Sequence, residues 1–381
     1  MFSSTTRSVV AVAGLAMATA SLAACAPSSS SAHGLSVVAT TTQICDYVTQ
    51  IAARSTDISL NKTDAAGKNS HVGAAPEGAA LTMSLTCLLA PNASAHEHEM
   101  TPAQTSALAQ ADVMAVSGVD LEHFLDDAVV SSGFKGRMVV TSGVLTAADI
   151  DNPGTPDPEG AYTIDRGSER VDVAPWPFPP EEAGEEPEFR FDPHVWTSPK
   201  GARVQVANLG AGLAAAAPDA ASSINAATAS YLEDLDALDA WATASIETVP
   251  EGQRVLFTSH DAFGYFSGDY GIRFIGAALS DFNDQQDATA DHIASAVQAV
   301  KDSGAVAIFA ENSNNSKSIE AIARGAGVTP IVGDDALYGD SLGPDGSAGA
   351  TYVGSIIHNV RAVTDAWGGT APALPERLAG Q

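Results

Sequence analysis

Basic residues are scarce in this chain. Lys and Arg number 18 against 46 Asp and Glu, for a formal net charge of −28. So acidic a surface argues against nucleic acid or anionic lipid headgroups as partners, and it suits a protein that attracts cations. Gly-rich phosphate loops, an internal sequence repeat and an H-E-x-x-H pair are all missing. Long apolar runs are missing too, except at the start. Val9 to Ala24 is apolar or small, yet shorter than the roughly 20 residues that a membrane span needs.

That N-terminal run reads as a processing signal. One positive charge, Arg7, precedes it, Leu22-Ala23-Ala24-Cys25 closes it, and a Ser-rich stretch follows. The expected arrangement is a lipoprotein signal over residues 1–24 with Cys25 carrying the lipid, then a linker over 25–34. The chain would then be extracytoplasmic and lipid-anchored to the cell membrane. Of the three cysteines, Cys45 and Cys87 remain. In a disulfide-permissive compartment they are a candidate bridge, with two buried free thiols as the alternative.

With 45% hydrophobic residues the chain can build a real core. Short β-branched runs alternate with helical spacing: strands at 36–41, 81–89, 112–117 and 137–141, helices at 44–53, 102–111 and 121–130. Such alternation predicts βα units and a parallel sheet. Two stretches break the rhythm. Residues 54–78 are rich in Asn, Asp, Gly and Lys and read as a mobile insertion; residues 147–190 read as a long acidic loop. From Pro218 to Pro250 neither Pro nor Gly intervenes, and Ile224, Ala227, Tyr231, Leu235, Leu238 and Ala242 recur at helical spacing. This predicts one long helix, a strut between two lobes. The expected organisation is an N-terminal α/β lobe over 35–217, a linking helix over 218–249 and a C-terminal α/β lobe over 250–381.

Several histidines follow strands directly. His96 and His98 lie in the loop after the 81–89 strand, His194 closes the acidic loop in Asp192-Pro193-His194-Val195-Trp196, and His260 ends the strand after the strut. Asp340 follows a later strand. Ligands of open α/β sheets bind outside the carboxyl ends of the strands, and imidazole and carboxylate both bind Zn2+. His98 rivals His96; His33, His71, His123, His292 and His358 are read as ordinary solvated or hydrogen-bonded residues. Ser259-His260-Asp261 is no catalytic relay, because such relays are assembled from separated segments.

Four motifs, in order, resemble the zinc- and manganese-uptake solute-binding proteins of bacterial ABC transporters. They are His96-Glu97-His98-Glu99-Met100-Thr101-Pro102, Asp192 to Trp196, Thr258 to Phe266 with Tyr270-Gly271, and Ile308 to Asn312 with Asp340-Ser341-Leu342-Gly343. The resemblance implies two α/β lobes, each with a parallel sheet flanked by helices, joined by one long backbone α-helix. It implies a single metal held by His96, His194, His260 and Asp340, and a membrane permease and ATPase as partners of a monomer. One departure stands out: Ser94-Ala95 replaces the family's Asp-Pro before the first His. Three imidazoles favour Zn2+ over harder Mn2+. No catalysis is expected. The alternatives are an exported zinc-dependent hydrolase, a ferric-siderophore binder, which would want a basic or aromatic pocket, and an adhesin-type lipoprotein.

Overall fold

A computed structural model of the chain describes residues 34–380, apart from 97, 156, 158–159, 177–188 and 279–289. Cys25, His33 and the expected signal segment lie outside the described residues. The first half is one seven-stranded sheet in the order β3-β2-β4-β1-β5-β6-β7. Its strands are β1 Leu35–Ala39, β2 Ile58–Thr63, β3 Asn69–Gly73, β4 Leu81–Cys87, β5 Val113–Val116, β6 Arg137–Val140 and β7 Thr163–Asp165. All neighbours are parallel except β2 and β3. The helices between them are α1 Thr42–Ala53, α2 Pro102–Ala109, α3 Leu125–Ser132 and α4 Ala147–Asp151. Their starts are encoded locally. The Thr41 hydroxyl accepts from Ile44 N and caps α1, and Thr101 and Gln104 form a reciprocal capping box with Pro102 in the first turn of α2.

Two expectations need correction. Residues 54–78 are not a mobile insertion: they contain β2, whose Ile58, Ser59 and Leu60 are buried, and β3, which hairpins back on its edge. Residues 147–190 are not all loop either, since α4 and β7 lie within them and β7 extends the sheet beside β6.

Two antiparallel helices follow, α5 Pro199–Ala216 and α6 Ala221–Ile246, packed along each other. α6 is the expected strut. Its 26 residues span about 39 Å at 1.5 Å per residue, and the stripe Ile224, Ala227, Tyr231, Leu235, Leu238 and Ala242 is buried. The second half holds β8 Val255–Thr258, α7 Gly264–Tyr270, β9 Arg273–Ala277, α8 Ala290–Ser303, β10 Ala307–Phe309, α9 Lys317–Ala326, β11 Thr329–Ile331 and α10 Tyr352–Ala366. Its described strands pair in parallel, β8 with β9 and β10 with β11. The fold is therefore α/β in two lobes joined by a long helix.

The main apolar core runs through both halves without a break, from β1, α1 and β4 through α5 and α6 to α7 and α10. Tyr47 on α1 packs edge-on against Tyr352 of α10, with ring centroids 5.3 Å apart. Cys45 on α1 and Cys87 at the end of β4 form a disulfide with Cα atoms 5.6 Å apart. Among the described residues no helix is long and apolar enough to cross a membrane.

Candidate metal centre

Four loops at the strand ends meet between the lobes. His96 stands in the loop after β4. His194 precedes the short 3-10 turn Val195–Thr197, His260 follows β8 directly, and Asp340 lies in the loop after β11. These are the four residues expected from sequence, and the fold brings them together. The Nε2 atoms of His96 and His194 are 3.1 Å apart, and those of His260 and His194 are 3.4 Å apart. Asp340 Oδ1 lies 3.4 Å from His194 Nε2, and its Oδ2 lies 3.6 Å from His96 Nε2 and 3.7 Å from His260 Nε2. All four side chains are buried. Ligand bonds of about 2.0–2.2 Å arranged tetrahedrally put neighbouring donors about 3.3–3.6 Å apart, so this spacing suits one ion. His98 is not in the group; its ring packs edge-on against Phe124. His71, His292 and His358 meet Ser59 Oγ, Ala277 O and Ala336 O respectively.

Each donor is aimed by a second residue. Asp192 Oδ1 accepts from both the backbone N–H and Nδ1–H of His194, at 3.0 and 2.8 Å, which leaves Nε2 facing the group. Metal-binding histidines are commonly held this way. Glu311 Oε1 accepts from His260 N at 2.9 Å, and Ser259 Oγ accepts from Glu311 N. Gly339 allows the close approach, since a Cβ there would stand 2.0 Å from Glu311 Oε2. The buried Glu311 carboxylate thus holds the His260 loop on one side and lies against the Asp340 loop on the other. Gln43 Nε2 donates to Asp340 O, and Trp196 Nε1 to Gly339 O. Ser94 Oγ donates to Asp340 Oδ2 at 3.1 Å and accepts from His96 N at 3.3 Å.

Burial and mutual charge set the protonation of the metal-free cluster. Burial drives the His96 imidazole well below its ordinary pKa, with Asp340 only partly opposing. Burial also disfavours charge on His194, but its bonds to Asp192 and Asp340 outweigh that and raise it to about 10. Burial would raise Asp340, yet the imidazoles of His260, His96 and His194 hold its carboxyl well below the usual range. His194, between two carboxylates, is therefore the imidazole that holds a second proton most firmly.

Aromatic side chains cover the cluster. The Phe189 ring lies 5.6 Å from His96 and 5.7 Å from Trp176, Trp176 lies 6.1 Å from His194, and His123 stacks on Phe189 at 5.4 Å. Sequence reading missed Trp176 and Phe189, which border residues 177–188, and gave no role to Asp192, Glu311 or Ser94. The available signal was aromatic: Trp176 and Phe189 interrupt an otherwise acidic, Pro-rich stretch.

The family described as zinc-uptake complex component A, periplasmic, matches residues 78–366. The chain is 30% identical over 285 residues to the manganese-binding lipoprotein MntA of Bacillus subtilis, covering 74% of this chain and 82% of that protein. It is 23% identical over 270 residues to the metal ABC transporter substrate-binding lipoprotein SsaB of Streptococcus sanguinis, covering 71% of this chain and 77% of that protein. In fold it superposes on the periplasmic zinc-binding protein TroA from Treponema pallidum with a TM-score of 0.64 at 24% identity, over 88% of this chain and 99% of that one.

Proposed function

The chain belongs to the zinc-uptake complex component A family, and on that premise we propose that it captures a divalent metal ion for an ABC importer, binding it with His96, His194, His260 and Asp340. The observation that carries this reading is the mutual distance of the donors, 3.1 to 3.7 Å among Nε2 atoms and carboxylate oxygens of four buried side chains. The cargo is Zn2+, because three imidazoles and one carboxylate are the borderline donors it prefers. Mn2+ is the second reading, favoured by the 30% identity to a protein named as manganese-binding.

The same geometry speaks against the alternatives. A catalytic zinc keeps an open position for water, whereas four protein donors crowd this buried cluster. A siderophore needs a molecule-sized pocket, and the spacing of the donors here suits a single ion. The protein works outside the cytoplasm as a monomer, held at the membrane through Cys25, and passes the ion to a permease driven by an ATPase. The relatives named as lipoproteins support this placement.

Titration of metal-free protein with Zn2+ and with Mn2+ against a competing chelator tests the reading. One equivalent of metal bound is the expected result. His260→Ala loses affinity by orders of magnitude while its far-UV circular dichroism is unchanged. Parental Zn2+ affinity in His260→Ala, or no binding by the parent, would sink the assignment.

A further inference from the structure

Resting on that capture reading, we propose that the Ser94 hydroxyl determines how Asp340 presents itself to the ion. It restricts the carboxylate to one donor oxygen and so biases the site toward four-coordinate Zn2+ over Mn2+.

Both oxygens of Asp340 lie within reach of the site. Oδ1 is 3.4 Å from His194 Nε2, and Oδ2 is 3.6 and 3.7 Å from the Nε2 atoms of His96 and His260. Distance alone would let the carboxylate donate twice. What separates the two oxygens is their other partners. Oδ1 is buried and faces His194 Nε2 at 3.4 Å, an atom that itself serves as a donor to the ion. Oδ2 accepts from Ser94 Oγ at 3.1 Å. The direction of that bond is fixed: His96 N–H donates to Ser94 Oγ, and a carboxylate can only accept, so the hydroxyl proton points at Oδ2. A proton directed at Oδ2 draws off the electron density that a metal would use, leaving Oδ1 as the better donor.

The rest of Asp340 cannot easily turn to compensate. Its backbone oxygen is held by Gln43 Nε2, and Leu342 N donates to Thr42 Oγ1. Ser94 therefore couples the backbone of the first ligand, on one lobe, to the carboxylate of the fourth, on the other. A site of three imidazole nitrogens and one carboxylate oxygen is the tetrahedral set that suits Zn2+. Mn2+ suits more oxygen donors and higher coordination. Removing the hydroxyl frees Oδ2 for a second bond and moves the site in the Mn2+ direction.

The test compares the parent, Ser94→Ala and Ser94→Thr. Co2+ serves as a spectroscopic probe, and Zn2+ and Mn2+ association constants are measured by chelator competition. The parent should give the intense visible absorption of four-coordinate Co2+. Ser94→Ala should give a several-fold weaker band of higher coordination, and its Zn2+-to-Mn2+ affinity ratio should fall by about tenfold, the lower end of what loss of such a supporting partner costs. Ser94→Thr keeps the hydroxyl and should keep both parental properties. An unchanged spectrum and ratio in Ser94→Ala overturns the proposal while leaving capture intact, and so does Ser94→Thr behaving like the alanine variant. A parent that binds none of the three ions overturns the capture reading and this proposal together.

Discussion

Metal uptake by this protein should be steeply pH-dependent well above the ordinary histidine range. Sequence reasoning places the fall in affinity near pH 6.5, the value of a free imidazole. The structure moves it. His194 donates Nδ1–H to Asp192 Oδ1 at 2.8 Å, and its Nε2 lies 3.4 Å from Asp340 Oδ1. Against the cost of burial, those two carboxylates raise it to about 10. At neutral pH the metal-free site therefore holds a proton on an Nε2 atom that the ion must take. His96 is held neutral by its burial and releases none. With the raised value, the proton competes at every pH below about 10. Apparent affinity then climbs about tenfold per pH unit, so that pH 8.5 binds roughly thirtyfold more tightly than pH 7.0.

Two measurements check this. Chelator competition at pH 7.0, 7.5, 8.0 and 8.5, corrected for the chelator's own protonation, gives the slope. Calorimetry in two buffers of different ionisation enthalpy counts the protons, and about one per Zn2+ is expected from His194. Asp192→Asn keeps an acceptor for Nδ1–H but removes the charge. Its imidazole is less basic, so the slope should flatten above about pH 7.5 where the parent's still climbs about tenfold per unit. A parent whose affinity is flat from pH 7.0 to 8.5, with no proton released, would refute the reasoning.

Three further outcomes are expected. Replacing both Cys45 and Cys87, which stand 42 residues apart, by serine should lower unfolding free energy by about 4 kcal/mol in the chain-entropy account, read by urea denaturation; a loss under about 1 kcal/mol contradicts it. Phe189→Ala uncovers His96 and His123 and should speed Zn2+ release to excess chelator severalfold in stopped flow, while unchanged release shows that the aromatic cover does not gate the ion. His96→Ala should lose Zn2+ affinity by orders of magnitude and His98→Ala should stay within about twofold of the parent, because the His98 ring packs on Phe124 outside the donor group; the reverse result would exchange their roles.

What was legible in the sequence followed from chemistry concentrated at fixed positions. Asp192-Pro193-His194-Val195-Trp196 and Thr258-Ser259-His260 announce donors at strand ends, where an open α/β sheet gathers its ligands. The stripe on α6 shows in spacing alone, because apolar residues recur at three and four positions with no Gly or Pro between. Helix α5 was not anticipated, and its glycines explain why. Gly201, Gly210 and Gly212 read as breakers. In the fold, a Cβ at Gly210 would stand 2.3 Å from Thr228 on α6, and one at Gly212 would stand 2.5 Å from Val139 on β6. Those glycines allow close approach of helix to helix and helix to sheet. Strand β2 was missed for a different reason. Its outer half, Asn61-Lys62-Thr63, is polar, and its inner half is too short for a period to show. The aromatic cover was illegible because Trp176 and Phe189 are thirteen positions apart and meet only through tertiary folding.

From ligand order alone, the ion should be the main bond across the lobes, since His96 and His194 precede α6 while His260 and Asp340 follow it. The structure adds direct hydrogen bonds between the same two lobes. Trp196 Nε1 donates to Gly339 O, Tyr352 OH to Trp196 O, Tyr352 N to Asp46 Oδ2, Tyr265 OH to Asp192 O and Asn92 N to Leu342 O. The apolar core also continues through both halves. The ion therefore shares with these contacts the work of joining the lobes, and is not their sole bond. Selectivity must then come from the groups that aim each donor: Asp192 behind His194, Glu311 behind His260 and Ser94 beside Asp340. Release faces the converse problem. A partner that opens the site would have to part these bonds, and the loops carrying His96 and Asp340, joined across the lobes by one serine hydroxyl, are where a small displacement removes two donors together.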